Sequence, residues 1–436
     1  MHMNGKRLRL LYPDIHGLDR GKYLFGDVAE SGHAAFCMGV YPLTHDREIL
    51  PVPNTQFDIG LPDIDVHLDR ESLRPCWEDD TVIGIGDCTF QNTPVPLDPR
   101  HVLRQAVDAW RALGLEAQIS FELEFYLLEP DGAGGGWRPV ALPGHRVYGT
   151  GTAVDPSGCV TDMVNVALGC HFPIESWSSE YDESSFEVNI RYNDAIAAAD
   201  EAFIFRLLFR EIAARHGKLA TFLGRPLNDR GGSGMHVNFS FRREDGSNAF
   251  HDPHDPEGLS TLARKCIAGV LAHHAGMGAI MAPHVNAYKR LRPDMLNGYW
   301  STWGHDDRSV TVRVPPARGE GTRLEQRTAD AAANPYLVGA AVLHAARFGV
   351  EDDLPLPQEQ PKGAPPNSDV CIPTNLSEAL DALNADARLC TALGPEIVEA
   401  FTILKRGEWE RYLGAAVDPA TTDVTDWELR YYLPFH

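Results

Sequence analysis

The chain has 436 residues, 43% of them hydrophobic and 23% charged, and a formal net charge of -22. That describes a globular protein of two or three domains with a sizeable core, whose acidity repels phosphate backbones and argues against nucleic acid as a partner. No apolar run reaches the roughly 18 residues of a membrane span, the basic residues at the start precede no apolar segment, and the eight cysteines form no C-x-x-C pair, so the expectation is a cytoplasmic protein with reduced, mainly structural thiols.

Residues 1–96 read as short strands and turns, with a hairpin at 7–25 and a loop-rich return at 54–69. The texture then changes. Asp98 stands where a cap belongs, Pro99 in the first turn, and Val102, Leu103, Ala106, Val107, Trp110 and Leu113 recur at helical spacing before Gly114. This helix opens a second domain, which sets the boundaries at 1–96 and 97–436. Further helices are expected at 194–216, 259–281, 334–348, 377–386 and 395–413, a turn or flexible loop at 131–139, and a Pro-rich surface connection at 354–366.

Between the helices lie strand-like runs with one apolar and one polar face. In "FELEFYLLE" Phe121, Leu123, Phe125 and Leu127 line one side, and Glu122, Glu124 and Tyr126 the other. Two carboxylates about 6–7 Å apart on one strand face either meet solvent at an edge or require cations, basic side chains or raised pKa values. Other strands bear on the choice. "SSFEVNIRY" sets Glu187, Asn189 and Arg191 opposite Phe186, Val188 and Ile190, with Glu180 seven residues ahead of Glu187. "SGMHVNFSF" opposes His236, Asn238 and Ser240 to Met235, Val237, Phe239 and Phe241. "RSVTVRVP" opposes Ser309, Thr311 and Arg313 to its valines, and "TRLEQRTAD" opposes Arg323, Glu325 and Arg327 to Leu324, Gln326 and Thr328.

Such strands predict an antiparallel sheet with helices on the greasy face and a charged cavity wall on the other. Like charges about 4 Å apart repel by roughly 4 kcal/mol at an effective dielectric near 20, so the acids need compensation. Arginines could pair with some of them. Hard divalent cations with oxygen ligands and one imidazole neutralise the cluster more completely, and two Mg²⁺ or Mn²⁺ ions fit the inventory. Metals facing arginines in such a cavity are the equipment of phosphoryl transfer. His273 and His274, by contrast, are read as structural.

The segments "FELEF", the Glu180/Glu187 pair, "GSGMHVNFS", "NAYKRL", "RSVTVRVP", "RLEQR" and "AAANPYL" occur in an order and spacing that resemble the glutamine synthetase superfamily over nearly the whole chain. The resemblance implies an α+β fold: a small N-terminal β-grasp-like domain and a larger catalytic domain with a curved antiparallel sheet packed by helices. It implies ATP and two or more Mg²⁺ or Mn²⁺ ions per site, and a homo-oligomer, a dodecamer of two hexameric rings. Carried over by position, Glu124, Glu180 and Glu187 would hold one metal and Glu122, His236 and Glu325 the second. Arg290 and Gly232 would face the amino-acid substrate. Arg308 and Arg313 would face the transferring phosphoryl group and Arg327 the γ-carboxyl end, with Ser240 and Arg323, like Arg313, on the nucleotide side.

The chain departs from the family at the flap, where "RLVPGYEAP" is replaced by "RLRPDMLNG", so Leu296 occupies the place of the proton-accepting glutamate. The N-terminal "FDGSS" aspartate that binds ammonium is also missing, the matching text being "FCMGVYPLT". An amine with carbon substituents gains from apolar and aromatic walls where bare ammonium does not. Tyr299, Trp300 and Trp303 are candidates for that wall. Gly231, Ser184 and Ser185 replace family residues near the acid substrate, and no "NLY" adenylylation segment is present. The leading expectation is an ATP-dependent ligase joining glutamate to an amine through γ-glutamyl phosphate. The alternatives are a true glutamine synthetase using ammonia and a catalytically silent structural relative.

Overall fold

The structure, a computed structural model, describes residues 6–55, 57–132, 136–415 and 418–436. Leu8, Leu10 and Leu11 draw the strand Arg7–Pro13 into the core, where it pairs antiparallel with Asp19–Leu24 as the expected hairpin. The same strand also runs parallel to Thr81–Phe90, a pairing that requires a long crossover and that local reading does not reveal. The first sheet has the order 19–24, 7–13, 81–90, 63–68, 33–37, with two short strands added beside 81–90. Of the return expected at 54–69, position 56 lies outside the described residues and Asp63–Leu68 is a strand.

The helix Pro99–Arg111 forms as expected: the Asp98 side chain accepts from the Arg100 N–H at 2.9 Å, Pro99 occupies the first turn, and Val102, Leu103, Ala106, Val107 and Trp110 are buried. It is tied to the first sheet by charge. Arg100, 1% exposed, bonds Asp69 at 2.7 Å, Asp200 at 2.9 Å, and Asp87. Such a buried guanidinium is tolerated only with its donors satisfied on all sides.

Among the described residues the second sheet has ten strands and runs 174–179, 185–190, 116–130, 235–242, 324–326, 312–314, 303–305 along its main path. All five striped segments lie in it. Every pair is antiparallel except Trp303–His305 with Val312–Val314, which is parallel, a departure from the expected all-antiparallel sheet. The helices Ala195–Arg215, Pro335–Glu351 and Pro99–Arg111 cover the apolar face, where Phe121, Leu123, Phe125, Val188, Val237 and Phe239 are buried. Full burial of each such side chain stabilises by roughly 1.5–3 kcal/mol.

Other expectations are corrected in detail. The helix expected at 259–281 is two, Thr261–Ala272 and His274–Met281, because His273 leaves helical geometry at φ -100, ψ 12 and its Nδ1 stands 2.6 Å from Asp386. "RSVTVRVP" is a strand only over Val312–Val314; Thr311 is fully buried, its hydroxyl donating to Gly298 O and Trp300 O. Helices Cys159–Gly169, Ala387–Leu393 and Asp426–Tyr432 were not anticipated. Of the loop expected at 131–139, residues 133–135 lie outside the described residues, and Trp137–Pro139 returns as a strand on Leu128–Pro130.

Candidate active site

The register of the second sheet assembles the acids. Glu122 lies opposite Asn189 on one side and His236 on the other, Glu124 opposite Glu187, and Glu325 between Asn238 and Arg313. Their side chains line one cavity of about 1050 Å³. Glu180 joins it from the turn after Ile174–Ser179, its N–H donating to Ser185 O at 2.9 Å. The choice left open between a solvated edge and a shared pit is settled for the pit.

His236 is the hub. Its Nδ1 stands 3.3 Å from Glu122 and 3.7 Å from Glu325, and its Nε2 3.7 Å from Glu124. Ligand atoms of Glu122, Glu187 and His236 all fall within 4.8 Å of one another. Burial raises the Glu122 carboxyl, but bonds from His236 and Asn238 and the Arg327 charge outweigh it and hold the group at about 2. Glu187 accepts from Asn189 at 3.0 Å, yet burial and then the charges of Glu122 and Glu124 push it up to about 7. Burial and Glu124 raise Glu180 as well. Such an oxygen-rich set with one imidazole fits hard divalent ions such as Mg²⁺ or Mn²⁺, and a cation among these carboxylates would relieve the repulsion that keeps two of them raised.

Arginine compensates part of the charge. Glu325, 1% exposed, accepts from Arg313 at 2.7 Å and from Arg327, while Arg313 also holds Asp306 at 2.6 Å. Arg308 is exposed in the cavity and Arg323 half-buried, the latter donating to Asn238 Oδ1 at 2.9 Å. Ser240 lines the same end, and among the described residues no lysine lines the cavity.

Arg290 is buried, and its Nη1 donates to Thr328 O at 2.8 Å. Two glycines make room for it: a Cβ at Gly232 would lie 2.6 Å from Arg290 Cγ, and one at Gly234 only 2.4 Å from its Nη2. Gly234 N–H also donates to Glu124 at 2.6 Å, so one backbone turn holds a buried arginine beside an acid. Leu296, 63% exposed, and Met295, 40% exposed, stand at the mouth with Asp294, which pairs with Arg292 at 3.4 Å.

Trp300 is corrected: neither it nor Tyr299 or Trp303 lines the cavity. Tyr299 packs on the core and against Trp300, and Trp303 donates to Pro357 O at 2.9 Å. The aromatic side chains of the lining are Tyr126, Tyr148, Tyr181 and Tyr192. Arg191 likewise leaves the stripe to pair with Glu175 at 3.1 Å. Sequence reasoning also missed two organising residues. Asn238 joins Glu122 to Arg323, both at 2.9 Å, and its place on the polar stripe was the available signal. Asp182 accepts from Tyr126 OH at 3.0 Å and Gly231 N–H at 2.5 Å, pinning the Glu180 turn to the glycine loop; as a loop residue it carried no periodic signal.

A family model described as the glutamine synthetase catalytic domain matches residues 96–432. The chain belongs to the glutamine synthetase family. This family member is 36% identical over 355 residues to a glutamine synthetase of Clostridium saccharobutylicum, covering 78% of this chain and 76% of the relative. It is 32% identical over 444 residues to the glutamate–isopropylamine ligase of a Pseudomonas species, covering 98% and 94%. Among solved structures, GmaS without ligand superposes with a TM-score of 0.82 at 27% identity over 99% of this chain and 97% of that one. The chain is therefore an ATP-dependent carbon–nitrogen ligase of the glutamine synthetase type, a class that uses a divalent metal.

Proposed function

We propose that this ligase forms a γ-glutamyl amide from glutamate and an alkyl, aryl or polyamine. The observation that carries the reading is Leu296, an exposed apolar side chain at the cavity mouth in the position of the family's flap glutamate. Met295 beside it and Tyr148, Tyr181 and Tyr192 line the same cavity, surfaces that reward carbon substituents on a cationic nitrogen. The end-to-end similarity to an isopropylamine ligase supports the same choice.

In this reading Arg290 holds the α-carboxylate of glutamate, positioned by the cradle of Gly232 and Gly234. Glu124, Glu180 and Glu187 would hold one divalent ion and Glu122, His236 and Glu325 the other. When bound, these ions neutralise charge on the nucleotide and the transferring phosphoryl group. Arg313, Arg323 and Ser240 orient the nucleotide. The γ-carboxylate oxygen of glutamate attacks the γ-phosphorus of ATP, the bond to ADP breaks, and Arg308 and Arg327 stabilise the charge that spreads over the phosphoryl oxygens. The amine, having lost its ammonium proton to water, attacks the acyl carbon, the bond from that carbon to the phosphate oxygen breaks, and the nitrogen passes its second proton to the departing phosphate or to water. Asp294 is a flap carboxylate that lines the same cavity, and it favours the second reading, ammonia as donor.

Phosphate release with glutamate, ATP and Mg²⁺ against a panel of amines and ammonium decides between them. Higher kcat/KM for an organic amine is expected; equal or better use of ammonium overturns the reading. The same proposal includes a cytoplasmic homo-oligomer of two hexameric rings, with exposed Phe25, Val28 and Phe57 of the N-terminal part as interface material, checked by light scattering.

A further inference from the structure

Outside the lining of the acidic cavity, four histidines converge where the N-terminal part meets the helical layer. His16 lies in the turn of the first hairpin, His45 in the loop after Tyr41, His284 between His274–Met281 and Ala287–Arg290, and His436 beyond Asp426–Tyr432. They are 5%, 4%, 1% and 4% exposed. His45 Nε2 and His436 Nε2 are 3.0 Å apart, the His284 and His436 rings 4.5 Å, and the His16 and His45 rings 4.5 Å. One ligand nitrogen from each of His45, His284 and His436 lies within 4.8 Å of the other two.

Hydrogen bonding within the protein does not account for this cluster. An N–H···N bond satisfies the His45 and His436 Nε2 atoms, and His16 Nε2 pairs with Leu43 O at 3.0 Å. His16 Nδ1, His45 Nδ1 and both nitrogens of His284 remain buried without a hydrogen-bond partner among the described residues. An imidazole with both nitrogens bare is costly, and native interiors rarely keep one without a bound species to satisfy it. Burial, foremost, and the neighbouring positive charges keep His45, His284 and His436 neutral, the form in which imidazole offers a lone pair.

We propose that His45, His284 and His436 bind a Zn²⁺-type transition ion at a structural site separate from the catalytic cavity. The donor chemistry sorts the two sites: carboxylate oxygens suit Mg²⁺ or Mn²⁺, whereas an all-imidazole triad suits Zn²⁺ and its late first-row neighbours. The acid beside the triad is Glu408, 1% exposed, which forms a second ligand-spaced group with His16 and His45 and has its charge balanced by Lys405. Glu408 is held by Lys405 at 2.9 Å and Tyr432 OH at 2.5 Å, as an acid flanking a metal site commonly is. Access runs through a cavity of about 490 Å³ that His45 lines with Arg47, Tyr431 and Phe435. A bound ion would staple an N-terminal loop, a catalytic-domain turn and the His436 segment together.

The test uses full-length protein without a polyhistidine tag, stripped with a chelator, given one equivalent of Zn²⁺ in a large excess of Mg²⁺, and desalted. Metal analysis is expected to find about one Zn²⁺ per chain in the wild type and about tenfold less in His284→Gln and in His45→Gln. X-ray absorption at the zinc edge of the wild type is expected to show a nitrogen shell with imidazole outer scattering, and this measurement decides if either variant fails to fold. Loss of the Zn²⁺ to Mg²⁺ competition, an all-oxygen shell, or equal retention in both variants overturns the proposal.

Discussion

Glu122 and His236 are cross-strand partners, and the imidazole Nδ1 stands 3.3 Å from a Glu122 oxygen. Glu124, two residues along the same strand, meets the other ring nitrogen at 3.7 Å, so one histidine bridges two acids that would otherwise repel across an apolar wall. The pair shows how a sheet concentrates charge: the period of two brings acids to one face, and the neighbouring strand brings their counterpart.

Removing one of these acids should stop catalysis without unfolding the protein. Glu124→Ala is expected to lower kcat by about 10³-fold, the scale of several kcal/mol of lost charge stabilisation. Circular dichroism and elution volume should stay at wild-type values. A variant within tenfold of wild-type kcat would remove Glu124 from the machinery.

The flap substitution should move nitrogen specificity. Leu296→Glu restores the acid of the family pattern and withdraws apolar contact of about 1–3 kcal/mol from an organic amine. The expected result is at least about a tenfold shift in the kcat/KM ratio toward ammonium. An unchanged ratio in parallel assays would mean that Leu296 does not face the acceptor.

Crowding Arg290 should injure glutamate binding selectively. In Gly234→Ala the new Cβ would sit 2.4 Å from Arg290 Nη2, which forces the guanidinium aside, and 3.0 Å from His236 Nε2, which has to yield only by a few tenths of an ångström. Misplacement by about 1 Å costs on the order of 10²-fold, and here it should show as a raised KM for glutamate with KM for ATP within about threefold of wild type. A matching rise in both constants would point to general damage.

A buried cap should make stability fall with rising pH. Burial lifts the Asp98 carboxyl from 3.8 to about 7, against the N–H bonds from Arg100 and Cys88 that lower it. Between those values the unfolded chain has lost this proton and the folded chain keeps it, so this residue's contribution is complete below the lower value and fades as pH rises to the upper. Asp98→Asn keeps a cap oxygen and cannot ionise, so urea unfolding should find its stability relative to wild type improved by on the order of 2 kcal/mol between about pH 4 and about pH 8. A constant difference between the two proteins across that range would contradict the account.

Legibility in the sequence followed locality. Asp98, Pro99 and the 3.6-residue stripe to Trp110 specify a helix within one short window, and the structure agrees. The alternation in "FELEF" and "GMHVNFSF" likewise assigned Glu122, Glu124, His236 and Asn238 to a polar face, because side-chain direction on a strand depends only on parity. The tryptophan wall failed because residues 299–303 carry no long periodicity: Trp303 donates to the distant Pro357 O, Trp300 O accepts from the Thr311 hydroxyl, and the segment becomes packing beside the sheet. His273 broke a helix for the same reason, through an aspartate more than a hundred residues away.

By itself, then, the sequence determined which side chains share a face, where the first catalytic-domain helix begins, and that an acidic stripe needs positive compensation, since caps and periodicity act within a few residues. Only the tertiary structure decided that Glu325 is shared by two arginines, that Asp182 pins two loops, and that His45, His284 and His436 meet at all. Those contacts join segments up to several hundred residues apart, and their register is set by the packing of whole layers rather than by any preference of the residues themselves.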